Sequence, residues 1–311
     1  MNKVCPIFIC GALRSGSTLF HLMLNSHPNM SNPGEFDFLF DRISDTGAFP
    51  SVQSYIEYLS SNRIFNSKKL IVDDSLSYPE LIQSFIRQKA EKNKFFSLNV
   101  HRNFDHAHLL YPDAKYIHLL RDPRDVARSS IGMKWAGNVY YGVNHWINTE
   151  KSWDRLKLKL NKEQYLDIKF EDLISDTKST LMKVCEFIGV EFSDEIFNYQ
   201  QSSTYGKPDT SLINQWQRKL SSRELQNVES KVVDMMRERN YKLSNNPIKE
   251  PSSFERFLLG IQNKIYIITK GIERYGFFLY SFYRLSSKLG INSWHNSLLI
   301  KVNEINKTHL K

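Results

Sequence analysis

The chain is poor in cysteine and has no long apolar run. Only Cys5, Cys10 and Cys185 occur in 311 residues, and their spacing matches neither a disulfide framework nor a zinc motif. This scarcity excludes a small disulfide-stapled scaffold and favours a reducing compartment. No charge-free stretch approaches the ~18 to 20 residues that a membrane span needs, and the first apolar run is too short for a secretory signal. We therefore expect a cytoplasmic protein.

Positive charge is in excess, with 42 Lys or Arg against 33 Asp or Glu, for a net charge of +9. The hydrophobic fraction of 41%, including 13% aromatics, is enough for a full core at this length and excludes global disorder. The charge favours an anionic ligand, nucleic acid or an acidic membrane surface, but it does not choose among them.

Short β-rich runs alternate with helical patterns over the first 170 residues. The expected strands are Val4–Cys10, Leu70–Val72, Phe95–Val100, Tyr116–Leu120 and Tyr165–Phe170. The expected helices are Thr18–Asn25, Pro79–Glu91 and Pro123–Met133, each with apolar residues three or four apart. This alternation predicts an α/β fold, a P-loop-like three-layer arrangement around a central parallel sheet.

The pattern after residue 170 is helical. Residues 177–188 form an apolar stripe that ends at Gly189, and Ser221 to Glu224 match a capping box. A polar, proline-containing stretch at 245–253 is the best linker, so we expect an α/β domain over 1–245 and a helical extension over 246–311.

The extension is basic and aromatic. Residues 251–311 hold nine Lys or Arg against three Asp or Glu. Such a segment suits peripheral contact with an anionic membrane, whereas packing on the main domain or on a second subunit is the alternative.

A phosphate-binding loop follows the first expected strand. The run CGALRSGST has the spacing G-x-x-x-x-G-S-T, which is a P-loop with Ser17 in place of the lysine. Gly11 and Gly16 permit a tight turn whose N–H groups, with the start of the next helix, form an anion cradle. Arg14 is the natural cation of this loop.

The missing lysine bears on the reaction class. Transfer of a γ-phosphoryl group needs that lysine and Mg²⁺, because the migrating group and its leaving diphosphate carry several negative charges. A sulfuryl group carries one formal charge fewer, so backbone donors, an arginine and hydroxyls suffice without a metal. The run Leu70 to Asp74 resembles a Walker B strand and keeps a kinase-like alternative open. A non-catalytic basic protein that docks on a membrane or on nucleic acid is the other alternative.

A second strand-to-helix turn offers a further anion site. In YIHLLRDPRD, Asp122 is placed as N-cap and Pro123 as first helical residue, so Arg121 leaves the strand at the ligand-binding edge of the sheet. Ser129 follows about two turns into the helix. Together Arg121 and Ser129 could hold a second phosphate, with a surface salt-bridge cluster as the alternative interpretation.

These paired motifs, FICGALRSGSTLFHLML and YPDAKYIHLLRDPRDVARSS, resemble those of the sulfotransferase superfamily, over roughly residues 4 to 245. The bacterial branch related to tyrosylprotein and carbohydrate sulfotransferases is the most similar. The resemblance implies a donor, 3′-phosphoadenosine 5′-phosphosulfate, bound without metal. It also implies an acceptor hydroxyl or amine on a small molecule, carbohydrate, lipid or peptide, and no nucleic-acid partner.

The resemblance also assigns residues. It implies that Arg14, Ser15, Gly16, Ser17 and Thr18 bind the 5′ sulfate and phosphate, and that Arg121 and Ser129 bind the 3′-phosphate. Glu35 matches the catalytic base of the tyrosylprotein branch. Ser203, Arg218 and Lys219 match, in a weak register, residues that return to the donor.

The sequence departs from that branch at two positions. The strand Phe95–Val100 and the residues after it contain no lysine where relatives place one. His101 or Arg102 could supply the missing charge, or His101 could itself be the base, since imidazole titrates near neutral pH. Phe170 stands where some relatives have a nucleotide-binding tyrosine. The acceptor pocket is expected between residues 36–63 and 134–148, whose aromatics suit sugars, phenols and lipids alike.

Overall fold

The computed structural model describes residues 4–92 and 94–309, and five parallel strands form its central sheet. The strands are β1 (Ile7–Cys10), β2 (Met30–Ser31), β3 (Phe95–Val100), β4 (Lys115–Leu120) and β5 (Tyr165–Lys169). The helices are α1 (Ser17–Ser26), α2 (Val52–Ser61), α3 (Arg63–Lys68), α4 (Tyr78–Lys89), α5 (Ala107–Leu110), α6 (Pro123–Gly132), α7 (Val139–Gly142), α8 (Asn144–Lys157), α9 (Phe170–Ser175), α10 (Thr177–Ile188), α11 (Tyr199–Ser202), α12 (Trp216–Lys219), α13 (Ser222–Glu238), α14 (Ser253–Tyr275), α15 (Phe277–Leu289) and α16 (Asn292–His309).

The strand order β2-β3-β1-β4-β5 places β1 in the centre, between β3 and β4. Alternate residues of β1 point to opposite faces of the sheet. Phe8 packs in a core with α2, α3, α4 and α8, whereas Ile7 and Ile9 pack with α1, α9 and α10. The predicted α/β class is therefore confirmed. The strands β3 and β4 lie on opposite sides of β1, so the strand order reverses there. A crevice therefore opens at the carboxyl ends of β1, β3 and β4.

Most element boundaries lie within two or three residues of the predicted ones. The helix Thr177–Ile188 ends as expected at Gly189, whose φ of 95° is left-handed, and the capping box at Ser221 and Glu224 is present. Phe170 begins α9 instead of ending β5. The two-residue strand β2 is too short for its periodicity to be recognised.

The expected strand Leu70–Val72 is wrong. This segment has no ladder partner in the described part of the chain, and the Ile71 side chain is 75% exposed. Its backbone is instead tied to α4, since Gln88 both donates to the carbonyl and accepts from the N–H of Ile71. An apolar, β-branched run therefore resembled a strand although it lies on the surface.

The C-terminal helices α14, α15 and α16 follow an irregular segment at 241–252. The helix α14 docks near residues 131–138, where Tyr266 donates to the carbonyl of Ile131 and Asn263 accepts from the N–H of Gly137. At the other end of the extension, α16 reaches α2, since Asn303 donates to the carbonyl of Ser61. Among the described helices, none combines the length and the apolarity needed to cross a bilayer. The division of the chain at residue 245 stays a prediction.

Candidate functional site

The loop between β1 and α1 is shaped as an anion cradle. Arg14 and Gly16 both have left-handed backbone conformations, with φ of 74° and 89°. Among the described residues no side chain caps the start of α1, so the first N–H groups of this ten-residue helix are not bonded to a cap. The Ser15 hydroxyl is buried and, within the described residues, has no hydrogen-bond partner. A buried, unsatisfied donor beside an uncapped helix N-terminus fits an anionic ligand.

Arg14 meets Arg121 and Ser129, both of which lie more than 100 residues further along the chain. Arg14 Nε donates to Ser129 Oγ at 3.0 Å, and Arg121 donates to the Arg14 carbonyl oxygen at 2.8 Å. The Arg121 guanidinium also stacks on the Phe170 ring, 4.3 Å from its centroid. Its buried Nε has no partner among the residues that the structure describes. The two turns identified in the sequence thus form a single basic site.

A cavity of about 670 Å³ opens on this basic site. Its walls include Arg14, Gly16, Ser17, Thr18, Arg121, Ser129 and Phe170, all from the two turns or from the start of α9. The stretch that the resemblance expected to return to the donor closes the other side, but through Thr204, Tyr205, Lys207 and Gln215. Arg128 lines the cavity too and donates to Gln215 at 2.7 Å. Four cations, including Arg128 and Lys207, line the cavity against two carboxylates, Asp125 and Asp209, so its net charge favours an anion.

Three residues expected from the weak register lie outside this lining. Ser203 accepts a hydrogen bond from the N–H of Tyr205, and Arg218 donates to the carbonyl of Ser211 at 2.8 Å. Lys219 is exposed on the short helix α12. Direct contact of these three side chains with a donor therefore stays a prediction.

A buried pair of charges lies next to the loop, at the end of β3. Asp37 Oδ2 lies 3.1 Å from Nδ1 of His101, and Asp37 Oδ1 accepts from the His101 N–H. On the other side of the ring, His101 Nε2 lies 3.0 Å from Ser17 Oγ. Burial alone would lower the pKa of His101, but the Asp37 carboxylate raises it above the usual histidine value. The raised pKa favours the protonated form of the imidazole beside the loop that lacks a lysine.

Glu35 lies beside β3 and close to a second cation. It forms a parallel bridge with Asn99, whose side-chain amide donates to the Ser17 carbonyl oxygen at 3.2 Å. Lys68 Nζ donates to the carbonyl of Pro33, two residues before Glu35. Burial lowers the pKa of Lys68 to about 8, and the Glu35 carboxylate offsets part of that effect. No sequence motif identified Lys68, because it reaches the site from the separate helix α3.

Arg102 is neutralised by its neighbours. Its guanidinium forms two hydrogen bonds of 2.7 Å to the Asp41 carboxylate, and it lies 3.8 Å from Asp37. This side chain lies between two further cavities, of about 600 and 390 Å³. Residues 54–64 line the first cavity, and His145 and Asn148 line the second, so each contains part of a segment expected to bind the acceptor.

The kinase-like interpretation loses its structural basis. Asp73 follows no strand and does not line the cavity at the loop; its carboxylate accepts from both the N–H and the hydroxyl of Ser75. Within residues 4–92 and 94–309, no group of three His, Cys, Asp or Glu side chains is arranged to hold a metal ion.

Comparisons with known proteins agree with this geometry. A family model described as the sulfotransferase family matches residues 6–194, more than half of the chain. Protein-tyrosine sulfotransferase 2 of Gallus gallus is 23% identical over 229 residues, which cover 67% of this chain and 57% of that protein. A 3-beta-hydroxysteroid sulfotransferase of Cavia porcellus is 33% identical over 101 residues, covering 26% of this chain and 33% of the relative. The chain thus spans between a third and just over half of the length of these two relatives.

Two solved structures share the fold. The sulfotransferase domain from the curacin biosynthetic pathway superposes with a TM-score of 0.54 at 19% identity, covering 78% of this chain and all of that domain. The sulfotransferase domain of the Synechococcus PCC 7002 olefin synthase gives a TM-score of 0.51 at 21% identity, covering 74% and 94%. At such identities the likeness establishes the fold alone.

Proposed function

Because the chain belongs to the sulfotransferase family, we propose that it transfers a sulfuryl group from 3′-phosphoadenosine 5′-phosphosulfate to an acceptor hydroxyl or amine. The observation that carries this proposal is the lysine-free loop joined to a second basic turn by Arg14, Arg121 and Ser129. Two basic turns on one cavity would suit a donor that carries phosphate groups at both the 5′ and the 3′ position of its ribose. The buried Ser15 Oγ and Arg121 Nε, without partners in the described chain, would each gain one on donor binding.

The donor would be held by two groups of residues. The loop N–H groups with Arg14, Ser15, Gly16, Ser17 and Thr18 would bind the 5′ end, and Arg121 with Ser129 would bind the 3′-phosphate. Bound there, the donor supplies the sulfuryl group. Phe170 is already covered on one face by Arg121, so it shapes the cavity wall where some relatives carry a tyrosine hydroxyl.

Glu35 and His101 have separate roles in this proposal. Asp37 raises the pKa of His101, which favours the protonated ring, and a protonated ring cannot act as a base. Its Nε2, at Ser17, instead places positive charge at the loop, where negative charge develops during transfer. Glu35 is then the general base that removes the proton of the acceptor. Arg102 is ion-paired with Asp37 and Asp41. It therefore orients these two carboxylates and adds no unpaired positive charge to the site.

The acceptor is a hydroxyl-bearing small molecule, carbohydrate, lipid or peptide. The two cavities beside Arg102 would bind this acceptor. Tyr58 and Arg63 line one of them, and His101 and Asn148 line the other. Aromatic and polar groups together suit an amphiphilic molecule with an exposed hydroxyl.

The test is transfer of label from ³⁵S-labelled donor to extracts of the source organism, in buffer containing EDTA. We expect a labelled product with the native chain, none with Arg14→Ala, and unimpaired donor binding but low turnover with Glu35→Gln. A protein that stays inactive in EDTA and instead transfers the γ-phosphoryl group of ATP with Mg²⁺ would be a kinase-like enzyme. If Glu35→Gln keeps full turnover, His101 is the base.

A further inference from the structure

The C-terminal extension exposes large apolar side chains in a continuous stripe. Along α14 the exposed residues recur three or four positions apart: Phe254, Phe257, Leu258, Ile261, Ile265 and Ile268. Phe254 is 68% exposed. The opposite side of the same helix contacts the rest of the protein through Leu259, Asn263 and Tyr266. The outward stripe therefore contributes nothing to the core of the described chain, and neighbouring exposed apolar side chains of this kind mark an interaction surface.

A second stripe lies on α15. Its exposed members are Phe278, Phe282, Leu285 and Leu289, at the spacing of one helix face. Phe278 is 73% exposed, and its ring packs only edge-on or offset against the neighbouring phenylalanines Phe277 and Phe282. Two consecutive helices thus present phenylalanine, leucine and isoleucine to the surroundings.

Cations accompany both stripes, and the acids of the extension are largely paired. Lys264 on α14 and Lys288 on α15 are exposed and form no ion pair within the described residues. Glu255 binds Arg223, and Glu273 binds both Lys134 and Lys270. The free charge around the stripes is therefore positive. A second copy of the chain laid on this surface would bring cations against cations, whereas an anionic surface would neutralise them.

We infer that α14 and α15 bind the surface of an anionic lipid bilayer, lying in its interfacial plane. Apolar side chains on one face with flanking lysines are the pattern of an interfacial helix. No described helix has the length and apolarity to cross the bilayer, so the contact is peripheral.

The docking has a geometric consequence for the site. The helix α14 contacts residues 131–138, and α16 contacts Ser61, so the extension joins the two segments that flank the proposed acceptor cavities. Binding at α14 and α15 holds the acceptor side of the protein near the membrane. This consequence rests on the proposed function, but the membrane contact itself needs neither donor nor acceptor.

The experiment is co-sedimentation of the full chain with vesicles of phosphatidylcholine alone or mixed with phosphatidylglycerol. We expect binding to the mixed vesicles that weakens as salt is raised, and little binding to phosphatidylcholine. The triple variant Phe254→Ser, Phe257→Ser and Ile265→Ser is expected to bind at least about tenfold more weakly. The double variant Lys264→Glu and Lys288→Glu is expected to lose about tenfold or more on the mixed vesicles.

Matched control variants distinguish the loss of membrane binding from general effects of a substitution on the protein. Ile71→Ser and Leu158→Ser remove exposed apolar residues outside the extension, and Lys183→Glu reverses an exposed charge on α10; none is expected to change vesicle binding. Binding of adenosine 3′,5′-bisphosphate by every variant checks that the fold is intact. If the stripe variant binds mixed vesicles as well as the native chain, the inference is wrong. It is equally wrong if sedimentation velocity shows a dimer that the stripe variant abolishes, without vesicle binding by the native chain.

Discussion

The Asp37 carboxylate contacts His101 at two points. Its Oδ1 accepts from the backbone N–H at 2.6 Å, and its Oδ2 lies 3.1 Å from Nδ1 of the ring. Both side chains are almost fully buried. The ring is thereby fixed with its Nε2 toward Ser17, at the start of the helix that follows the anion loop. By orienting the imidazole and raising its pKa, the Asp37 carboxylate favours a positive charge beside the loop in addition to that of Arg14.

The first prediction concerns the dependence of turnover on pH. His101 acts in its protonated form, and Asp37 raises its pKa, so turnover falls on the alkaline side as pH passes through that raised value. Asp37→Asn removes the carboxylate and leaves burial to lower the pKa. The alkaline limb of kcat should therefore move to lower pH. A shift of the acidic limb instead would make His101 the general base.

A second prediction compares two arginines. Arg121→Ala removes a guanidinium that lines the donor cavity, and the dissociation constant of adenosine 3′,5′-bisphosphate should rise about tenfold to a hundredfold, as for a lost charge-assisted hydrogen bond. Arg218→Ala should have a much smaller effect, because that side chain is bound to Ser211 outside the cavity lining. Isothermal titration calorimetry measures both. Equal losses would show that the loop rearranges to bring Arg218 to the donor.

A third prediction concerns Lys68, whose Nζ bonds to the Pro33 carbonyl and fixes the turn before Glu35. Lys68→Met should lower kcat about tenfold, since small displacements of a catalytic group are costly, and should leave the affinity for adenosine 3′,5′-bisphosphate unchanged. Lys69→Met, at the exposed neighbouring position, is the control. A loss of nucleotide affinity in Lys68→Met would place Lys68 at the donor instead of at Glu35.

A fourth prediction concerns the stability of the loop. Gly16 has a left-handed φ, and the Phe170 ring fills the space where a Cβ would stand. Gly16→Ala should lower the free energy of unfolding by about 2 to 4 kcal/mol, from backbone strain and overpacking together. Gly189→Ala has a similar φ but open space around it, so it should show only about 1 kcal/mol. Urea unfolding of both variants measures this difference. Equal losses in the two variants would show that the Phe170 ring moves aside without cost.

The local sequence predicted the parts of the site that lie on strand-to-helix turns. Glycine spacing, an N-cap and the edge of a parallel sheet were sufficient to place Arg14, Arg121 and Ser129 together, because parallel strands all end at one edge. The run Leu70–Val72 misled the strand prediction, since three apolar residues carry no information on whether a partner strand exists.

Residues that reach the site through tertiary packing gave no signal. Lys68 comes from α3, where no pattern indicated it. Lys207 lies in the stretch after α11 that the resemblance expected at the donor, but other residues of that stretch had been assigned to the contact. Asp37 lies only two residues from Glu35, yet its role depends on the end of β3 and becomes visible only when His101 packs above it. Such contacts follow from the assembled sheet, not from spacing along the chain.

The most direct test of the account is the melting temperature of the chain in EDTA, with and without adenosine 3′,5′-bisphosphate. A ligand at 100 times its dissociation constant stabilises the folded state by about 2.7 kcal/mol, which gives a clear upward shift. We predict that shift without any divalent ion, and its loss in Arg14→Ala. No shift in EDTA, together with stabilisation by ATP and Mg²⁺, would contradict the account.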